Sequence, residues 1–284
     1  MKTRSIPLII ILVFGATCLW SQELKTQCSV TYIANDGFLF ETKTGKILID
    51  ALFGGIKGNW CDQPDDSVSN LMLNGIVPFN NIDAVLITHY HSDHFNGPMA
   101  ISFLRNNLRS ILICPSQVNE VLKKDSGYSS VADRIHYLKS DNQFDSLLAV
   151  NKINIRALKF NHGSFFETDS VTGKKYDLHS GVENFGYIID SDGFSLFHAG
   201  DGSSSDKSHF ETYHFKERDF DMVFLDRTFL RKEGQEIMNS LIHTKDLVFM
   251  HIEPGRGEYY KSIIKDVPGL SVFTKKMEKK QIIK

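Results

Sequence analysis

The sequence predicts one α/β domain built from two similar halves, and three features of the chain support that prediction. Strand-like apolar segments alternate with helix-like segments along most of its length. The 284 residues, 42% of them hydrophobic, are enough for one large domain with a sizeable core. No linker, low-complexity segment or short internal repeat interrupts the sequence. We therefore expect residues 22–284 to form a single domain.

The charge balance indicates which partners to exclude. The formal net charge is −2 at pH 7, and basic residues concentrate only in the pairs Lys275-Lys276 and Lys279-Lys280. A nucleic-acid-binding surface needs a larger basic patch, because it must contact many phosphates. We interpret the C-terminal lysines as a solvated tail and expect no nucleic-acid partner.

The N-terminus has the order of features of a secretory signal. Lys2 and Arg4 precede an apolar run at residues 6–19, and small and polar residues follow it. We expect a signal peptide at residues 1–21, cleaved near Ser21, and export to the periplasm or the extracellular space. A retained anchor is the weaker alternative, because the apolar run is shorter than the ~20 residues of a spanning helix. The residues before Cys18 resemble a lipobox poorly, so no lipid anchor is expected.

The mature chain would contain an odd number of cysteines, Cys28, Cys61 and Cys114, without paired spacing. A disulfide framework is therefore not expected, even in an oxidising compartment. Cys114 ends an apolar run and is expected to be a small buried residue.

The first half of the chain begins with a meander of short strands. Turn-forming residues at 35–37 and 44–45 separate these strands, which are expected at Val30–Ile33, Phe38–Glu41 and Lys46–Asp50. A less regular stretch follows at residues 51–81. Strands and helices then alternate, in the order strand Ala84–Thr88, helix Pro98–Asn106, strand Ile111–Cys114 and helix Ser116–Lys124.

The second half repeats this arrangement. Its strands are expected at Ile153–Phe160, Phe185–Asp190, Phe194–Ala199, Met222–Asp226 and Leu247–His251. Ser191-Asp192-Gly193 is typical of a hairpin turn between two of these strands. A helix is expected near Glu233–Leu241, and a further helix and a last strand should follow the strand that ends at His251.

The stretch THYHSDHFNG, residues 88–97, concentrates imidazoles and a carboxylate directly after an apolar strand. Residues two apart in an extended segment point to the same side, so His89 and His91 can bind one metal ion. Asp93 and His94 lie in the turn before the Gly97-Pro98 helix start, where neighbouring side chains diverge, which suits a second ion. The pattern therefore predicts a two-metal site.

Such a site requires further ligands, and other strand ends supply them. His162 follows a strand in KFNHGS, Asp201 follows another in FHAGDG, and His251 ends a third in VFMHIEP. Strand ends in layered α/β domains meet at one edge, which is the usual place for chemistry. We expect these three residues to complete the site.

Together these motifs resemble the metallo-β-lactamase-fold superfamily of metallohydrolases, whose signature is His-x-His-x-Asp-His followed by separated His, Asp and His. The resemblance covers almost the whole mature chain and implies a four-layer αβ/βα sandwich with the site at one edge of its two sheets. The implied metal ligands are His89, His91 and His162 for the first ion, Asp93, His94 and His251 for the second, and Asp201 between the two. The resemblance also implies that Asp50, in KILIDALF, orients one of these ligands.

The other histidines are expected to have structural roles. His198 lies close to Asp201 in the sequence and is expected to be buried or to support a ligand. Ordinary core or surface positions are expected for the rest: His136, His179, His209, His214 and His243.

The ligand set predicts a hydrolase. Two ions ~3.5–4 Å apart can hold a hydroxide between them, so no serine or cysteine nucleophile is required. Asp93 and Asp201 are the candidate catalytic residues, because their carboxylates would contact the ions. Two divalent ions are expected; imidazole and carboxylate ligands favour zinc, and manganese or iron would also fit.

The surroundings of Asp201 indicate the type of bond that is cut. A carboxylate in the context HAGD resembles the lactonase, phosphodiesterase and thioester-hydrolase branches of the superfamily. We therefore expect cleavage of an ester, lactone or phosphodiester bond in a small-molecule or lipid-like substrate. Hydrolysis of β-lactams and oxidation of thiol substrates by an iron enzyme of the same fold are the alternatives.

Substrate contacts are expected from loops around the metal ligands. Phe95, Phe165 and Phe166 flank ligands and are candidates for the pocket wall. Arg227 would either hold a carboxylate or phosphate of the substrate or pair with Asp226. The aromatic residues of the irregular stretch would either line the pocket or close the core: Phe53, Trp60 and Phe79.

Overall fold

Two β-sheets lie face to face, and helices cover the outer face of each sheet. This computed structural model describes residues 26–139 and 144–284. The predicted signal peptide at residues 1–21, with Cys18, lies outside the described residues.

The strands are short and, apart from a few small pairs, belong to the two large sheets. In chain order they are β1 (Gln27–Ala34), β2 (Gly37–Glu41), β3 (Lys46–Ile49), β4 (Ala84–Leu86), β5 (Ile111–Pro115), β6 (Ile135–Leu138), β7 (Asp145–Val150), β8 (Ile153–Asn161), β9 (Phe166–Thr168), β10 (Lys175–Asp177), β11 (Glu183–Ser191), β12 (Phe194–His198), β13 (Asp219–Phe220), β14 (Met222–Asp226), β15 (His243–Thr244), β16 (Leu247–Met250), β17 (Leu270–Val272) and β18 (Lys279–Ile283).

The helices connect the parallel strands. They are α1 (Asp66–Leu73), α2 (Gly97–Asn106), α3 (Ser116–Leu122), α4 (Lys207–Thr212), α5 (Lys232–Leu241) and α6 (Gly257–Ile264). Short 3₁₀ turns lie at Tyr128–Ser130, Ala132–Arg134, Phe215–Glu217 and Arg227–Leu230. Within the part of the chain that the structure describes, none of the helices is long and apolar enough to span a membrane.

The two large sheets have the same internal plan. The first has the strand order β18-β1-β2-β3-β4-β5-β6, and the second has the order β17-β16-β14-β12-β11-β8-β7. In each sheet the earlier strands pair antiparallel, and the pairing becomes parallel from β3 onward in the first and from β12 onward in the second. This repetition confirms the prediction of two similar α/β halves.

Hydrophobic layers hold the sheets and helices together. Between the sheets, the rings of Phe38 on β2 and Phe224 on β14 lie 4.6 Å apart, and both are almost fully buried. Outside the first sheet, Ile101 of α2 belongs to the same buried cluster as Val85 of β4. Outside the second sheet, the helices α4–α6 contribute to an equivalent cluster. The resulting helix–sheet–sheet–helix order confirms the predicted four-layer sandwich.

The structure differs from the sequence-based prediction at the C-terminus. Residues Lys279–Ile283 are not a solvated tail: they form β18, which pairs antiparallel with β1, with Val30 opposite Lys280. Lys280 forms an ion pair with Asp246, which directly precedes β16 of the second sheet, and Lys276 lies 2.7 Å from Asp65. The tail prediction was wrong because Lys279 and Lys280 belong to this edge strand, where Lys279 is exposed and Lys280 is half-buried.

Several other elements were not predicted, among them β6, β7 and α4. α1 lies inside the stretch described as irregular, and β9 with β10 forms a hairpin beyond the second sheet. The described cysteines, Cys28, Cys61 and Cys114, are free and buried.

Candidate metal centre

The candidate site lies where the carboxyl ends of parallel strands from both sheets meet. Asp50 directly follows β3, and the histidine-rich motif follows β4. From the second sheet, Asp201 comes shortly after β12, and His251 directly follows β16. This edge is where layered α/β proteins usually carry ligands, and here it joins residues 158 positions apart, since His251 contacts Asp93.

The start of α2 explains why the motif changes direction. The amides of His94 and Phe95 both donate to the carbonyl of His91, at 3.1 and 3.0 Å, which folds the segment into a turn. Asn96 then caps the helix by accepting a hydrogen bond from the Met99 amide at 3.0 Å, and a proline occupies its first turn. His94 thereby joins a different group of donors from His89 and His91, although its ring lies 4.1 Å from the ring of His89.

The first group consists of three imidazoles whose nitrogens converge. His89 Nε2 lies 3.1 Å from His91 Nδ1 and 3.3 Å from His162 Nε2. His89 and His162 are buried and His91 is half-buried. The structure thus brings together the three residues predicted to bind the first ion.

The opposite nitrogens of two of these rings have other partners. His89 Nδ1 lies 3.0 Å from the Thr88 hydroxyl, and His162 Nδ1 donates to the carbonyl of Gly163 at 2.8 Å. A proton on each Nδ1 leaves the Nε2 lone pair of both rings facing the centre of the group. Second partners of this kind commonly orient metal-bound imidazoles.

The second group surrounds His94 Nε2 with carboxylates. Asp201 Oδ1 lies 3.3 Å away, and an oxygen each of Asp93 and Asp36 lies 3.6 Å away. His251 Nε2 approaches the same place, at 3.1 Å from Asp93 Oδ2 and 3.4 Å from Asp201 Oδ2. The residues predicted for the second ion are therefore adjacent, and Asp36 joins them.

Asp50 contacts the His94 ring at Nδ1, on the side opposite the second group. Its Oδ2 lies 2.9 Å from His94 Nδ1, and its carboxylate also accepts hydrogen bonds from the amide and hydroxyl of Thr88. Asp50 and His94 are fully buried, so these hydrogen bonds are not weakened by water. The contact leaves His94 Nε2 directed at the second group.

The buried charges strongly perturb the pKa values of the site. Burial lowers the pKa of His91 to about 4, helped by the neighbouring imidazoles. Burial alone would raise the pKa of Asp93, but His94 and a hydrogen bond from His251 lower it to about 2. Burial opposes the charged form of His251, yet Asp201 and Asp36 raise its pKa to about 10. The first group therefore favours neutral imidazoles, and the second group is acidic and attracts positive charge.

These features test whether the residues fit a divalent cation. Buried polar atoms normally have hydrogen-bond partners, yet Asp36 Oδ1 and Oδ2, His94 Nε2 and Asp201 Oδ1 have none. All four atoms belong to the second group and are oxygen or imidazole nitrogen donors, which suit zinc, manganese and iron. The donor set and its orphaned atoms therefore fit bound metal ions.

Arg227 lies behind His251 rather than open to a substrate. Its Nη1 donates to the His251 carbonyl at 2.6 Å, and its Nε donates to Glu253 at 2.9 Å. His251 has a φ of 56°, which is uncommon for residues other than glycine. The arginine therefore supports the left-handed backbone of His251, and its Nη1 also lies 3.6 Å from Asp226, the pairing that was expected as its alternative role.

Among the predicted pocket residues, Phe165 lies beside the first group and Phe95 does not. Phe165 is 59% exposed and stacks on His179 at 5.6 Å between ring centroids, and His179 in turn lies 4.7 Å from His91. Phe95 is buried in the hydrophobic layer between the first sheet and its helices. Of the aromatic residues in the stretch 51–81, Phe53 and Phe79 are buried, whereas Trp60 is exposed.

A polar cavity of about 480 Å³ opens next to the first group. His162 and His179 form one wall, and serine hydroxyls form much of the remainder: Ser164, Ser180, Ser203 and Ser205. This composition suits a substrate portion with hydrogen-bonding groups.

Sequence reasoning missed Asp36 and His179. Asp36 belongs to Asn35-Asp36-Gly37, which was interpreted only as a turn, and His179 was assigned an ordinary structural position. His179 lies 4.3 Å from the His162 ring, in a loop 16 residues beyond Gly163, whose carbonyl it contacts. Neither residue belongs to a spacing motif, so no local signal in the sequence could have identified them.

Comparison with known proteins places this site in a family. The family model described as beta-lactamase superfamily domain matches residues 46–256, which is more than half of the chain. The match includes the motif after β4 and the later candidate ligands His162, Asp201 and His251.

Individual proteins are consistent with that match. A UPF0173 metal-dependent hydrolase of Polaromonas sp. is 23% identical over 69% of this chain and 67% of its own length. A UPF0173 metal-dependent hydrolase of Polynucleobacter asymbioticus is 26% identical over 71% of this chain and 66% of its own length, so the match spans about two thirds of each relative. The structure of Igni18, a metallo hydrolase from Ignicoccus hospitalis, has a TM-score of 0.58 at 16% identity, covering 90% of this chain and 99% of that one. The chain therefore belongs to the beta-lactamase superfamily, as a metal-dependent hydrolase with the metallo-β-lactamase fold.

Proposed function

We propose that the protein uses two divalent metal ions to hydrolyse an ester, lactone or phosphodiester bond. One observation carries the two-metal assignment: Asp201 faces both groups of ligands. Its Oδ2 lies 3.4 Å from His162 Nε2 of the first group, and its Oδ1 lies 3.3 Å from His94 Nε2 of the second. A carboxylate between two sets of donors is the arrangement that holds a pair of ions together.

Each ion would have its own set of residues. His89, His91 and His162 would hold the first ion, and Asp93, His94 and His251 would hold the second, with Asp201 contacting both. When bound, two such ions acidify a water molecule and polarise the bond to be cut. Zinc is the expected metal, with manganese or iron as the other candidates.

The chain's own residues would prepare the site for this chemistry. Asp50 would fix the ring of His94, and Gly163 would fix the ring of His162, so that neither side chain reorients during the reaction. Asp93 and Asp201 would contribute negative charge at the ions and limit their net positive charge. Phe165, exposed beside His179, would contact the substrate as it enters.

Export is part of the proposal. A signal peptide at residues 1–21 would direct the chain to the periplasm or outside the cell, where a small-molecule or lipid-like substrate would be met. N-terminal sequencing of the protein recovered outside the cytoplasm tests this: a start near residue 22 supports export, and an intact Met1 contradicts cleavage.

Metal content and a substrate panel test the catalytic proposal together. Protein purified without added metal would be measured for metal ions per chain and assayed with a lactone, a phosphodiester and a β-lactam. Two ions per chain with turnover of the lactone or the phosphodiester is the expected result. Turnover of the β-lactam alone would identify a β-lactamase, and one iron per chain without hydrolysis would favour the iron oxidoreductase.

A further inference from the structure

The tight turn between β1 and β2 reaches into the metal centre. Ala34 pairs with Gly37, so Asn35 and Asp36 form a two-residue loop at the tip of this hairpin. A side chain at Gly37 would place its Cβ 2.8 Å from the carbonyl oxygen of Asp50, so only glycine lets the turn lie this close to the site. The turn is therefore built to bring its two polar residues beside the ligands.

Asp36 is completely buried at this tip, and both of its carboxylate oxygens lack a hydrogen-bond partner. Its Oδ2 lies 3.6 Å from His94 Nε2, the nitrogen that faces the second group. A fully buried carboxylate without a hydrogen-bond donor is unfavourable, because it has lost its hydration and the imidazole of His94, 3.6 Å away, offsets only part of that loss. Its position is explained if a cation supplies the missing partner.

Other residues hold the turn in place. Gly200 N donates to Nδ1 of the buried His198, so His198 carries its proton on Nε2 and donates it to the carbonyl of Asp36 at 2.9 Å. The side-chain amide of Asn35 donates through Nδ2 to the carbonyl of Asp93 at 3.2 Å, and it lies 3.4 Å from the Asp93 carboxylate. Asp36 is thus held on its backbone, which leaves its carboxylate free to bind.

We propose that Asp36 is an additional ligand of the second metal ion. The inference rests on the two-metal function proposed above and extends it. With Asp36, the second position would have three carboxylates, from Asp36, Asp93 and Asp201, whereas the first has three imidazoles. Carboxylate oxygens favour harder ions such as Mn²⁺, so the second position binds Mn²⁺ better than the first does.

Metal titration of the full-length mature chain tests this assignment. Metal-free wild-type protein and Asp36→Asn would be titrated separately with Mn²⁺ and Zn²⁺, and bound ions per chain would be measured by equilibrium dialysis. Asp192→Asn is the matched control, because Asp192 also occupies a two-residue hairpin turn, between β11 and β12, on a different part of the chain.

Asp36→Asn should bind the first ion as wild type does and the second at least ~10-fold more weakly, with the larger loss for Mn²⁺. Asp192→Asn should bind both ions normally. Unchanged binding of the second ion by Asp36→Asn overturns the ligand assignment, and equal losses for the two metals overturn the preference for Mn²⁺.

Thermal unfolding separates a ligand from a residue with a structural role. Because the Asp36 oxygens lack hydrogen-bond partners in the metal-free protein, Asp36→Asn should leave the Tm of that protein close to that of wild type, and it should reduce the rise in Tm that metal produces. A lower Tm of metal-free Asp36→Asn, with an unchanged metal-induced rise, contradicts the proposal. Wild-type protein that binds one ion or none refutes the two-metal function itself, whereas two ions bound with the same affinities in both proteins refute only the role of Asp36.

Discussion

Asp50 Oδ2 lies 2.9 Å from His94 Nδ1, and both side chains are completely buried. The hydrogen bond joins residues 44 positions apart and directs His94 Nε2 toward three other carboxylates. Asp50 therefore contacts the second group of the candidate metal centre through His94. This relationship yields a direct prediction for a conservative substitution.

Asp50→Asn should weaken binding of the second ion by ~10–100-fold while the fold is retained. Asparagine accepts the left-handed backbone at this position, where φ is 42°, but its amide cannot accept all the hydrogen bonds that reach the carboxylate. Equilibrium dialysis of metal-free protein measures the affinity, and circular dichroism checks the fold. Wild-type affinity for the second ion would show that Asp50 does not orient His94.

His251→Ala should reduce the metal content from two ions per chain to one and lower hydrolysis by more than ~100-fold. Loss of a residue that binds the metal directly should weaken metal binding more than loss of a residue that only orients a ligand. His136→Ala is the control, because His136 is an exposed residue of β6. Elemental analysis and turnover of the active panel substrate are the measurements. Full activity of His251→Ala would refute the two-metal assignment.

Phe165→Ala should raise KM for the active substrate by ~10-fold, equivalent to ~1.4 kcal/mol of lost apolar contact, while metal content stays unchanged. Phe166→Ala removes an equally exposed ring from the next position, 62% exposed against 59% for Phe165. A smaller change in KM is expected for it, because Phe165 stacks on the histidine beside the first group. Steady-state kinetics that give equal effects for both variants would contradict a specific contact.

Gly37→Ala should destabilise the protein by ~1–3 kcal/mol, because the new Cβ would meet two backbone oxygens at 2.8 and 2.9 Å. Gly181→Ala is the control, since a Cβ there meets nothing within 4 Å. Denaturant unfolding of the metal-free proteins measures the difference. Equal stabilities of the two variants would indicate that the β1–β2 turn is not tightly confined.

The stability of the metal-free protein should fall as pH decreases from about 6.5 to 4, in part because of His198. Burial lowers the pKa of His198 to about 4, whereas an exposed histidine in the unfolded chain has a pKa of ~6.5. In this interval the unfolded chain binds a proton that the folded chain does not, so acid favours unfolding, and above about pH 6.5 the full stability is present.

His198→Gln removes this group and keeps a donor for the Asp36 carbonyl. The difference in unfolding free energy between pH 7 and pH 4.5 should then be smaller than in wild type by up to ~3 kcal/mol. Denaturant titrations of both metal-free proteins at the two pH values make the comparison. Identical pH dependence would mean that His198 is not held neutral in the folded state.

The tertiary structure decided which other residues lie beside the candidate ligands. Asp36 sits in a turn that any hairpin could contain, and it joins the second group only because the first sheet packs against the second. His198 contacts it from 162 positions away. Arg227 and Phe165 had equal chemical grounds for contacting a substrate, yet packing placed the arginine behind His251 and the phenylalanine beside His179. The lysines of β18 have the composition of a solvated tail, yet they lie in an edge strand because this segment pairs with β1.

The sequence by itself determined the fold class and the principal ligand candidates. Alternating strands and helices reflect local periodicity. The candidate ligands at the strand ends could be proposed without coordinates, because each stands at or shortly after the end of an apolar strand: His89, His91, His162, Asp201 and His251. Periodicity and strand ends are local properties that the order of residues records. Other features depend on contacts between distant segments, and only the packing of the two sheets decides them. These features are the partners of a buried carboxylate, the pairing of an edge strand and the side of a loop that faces a cavity.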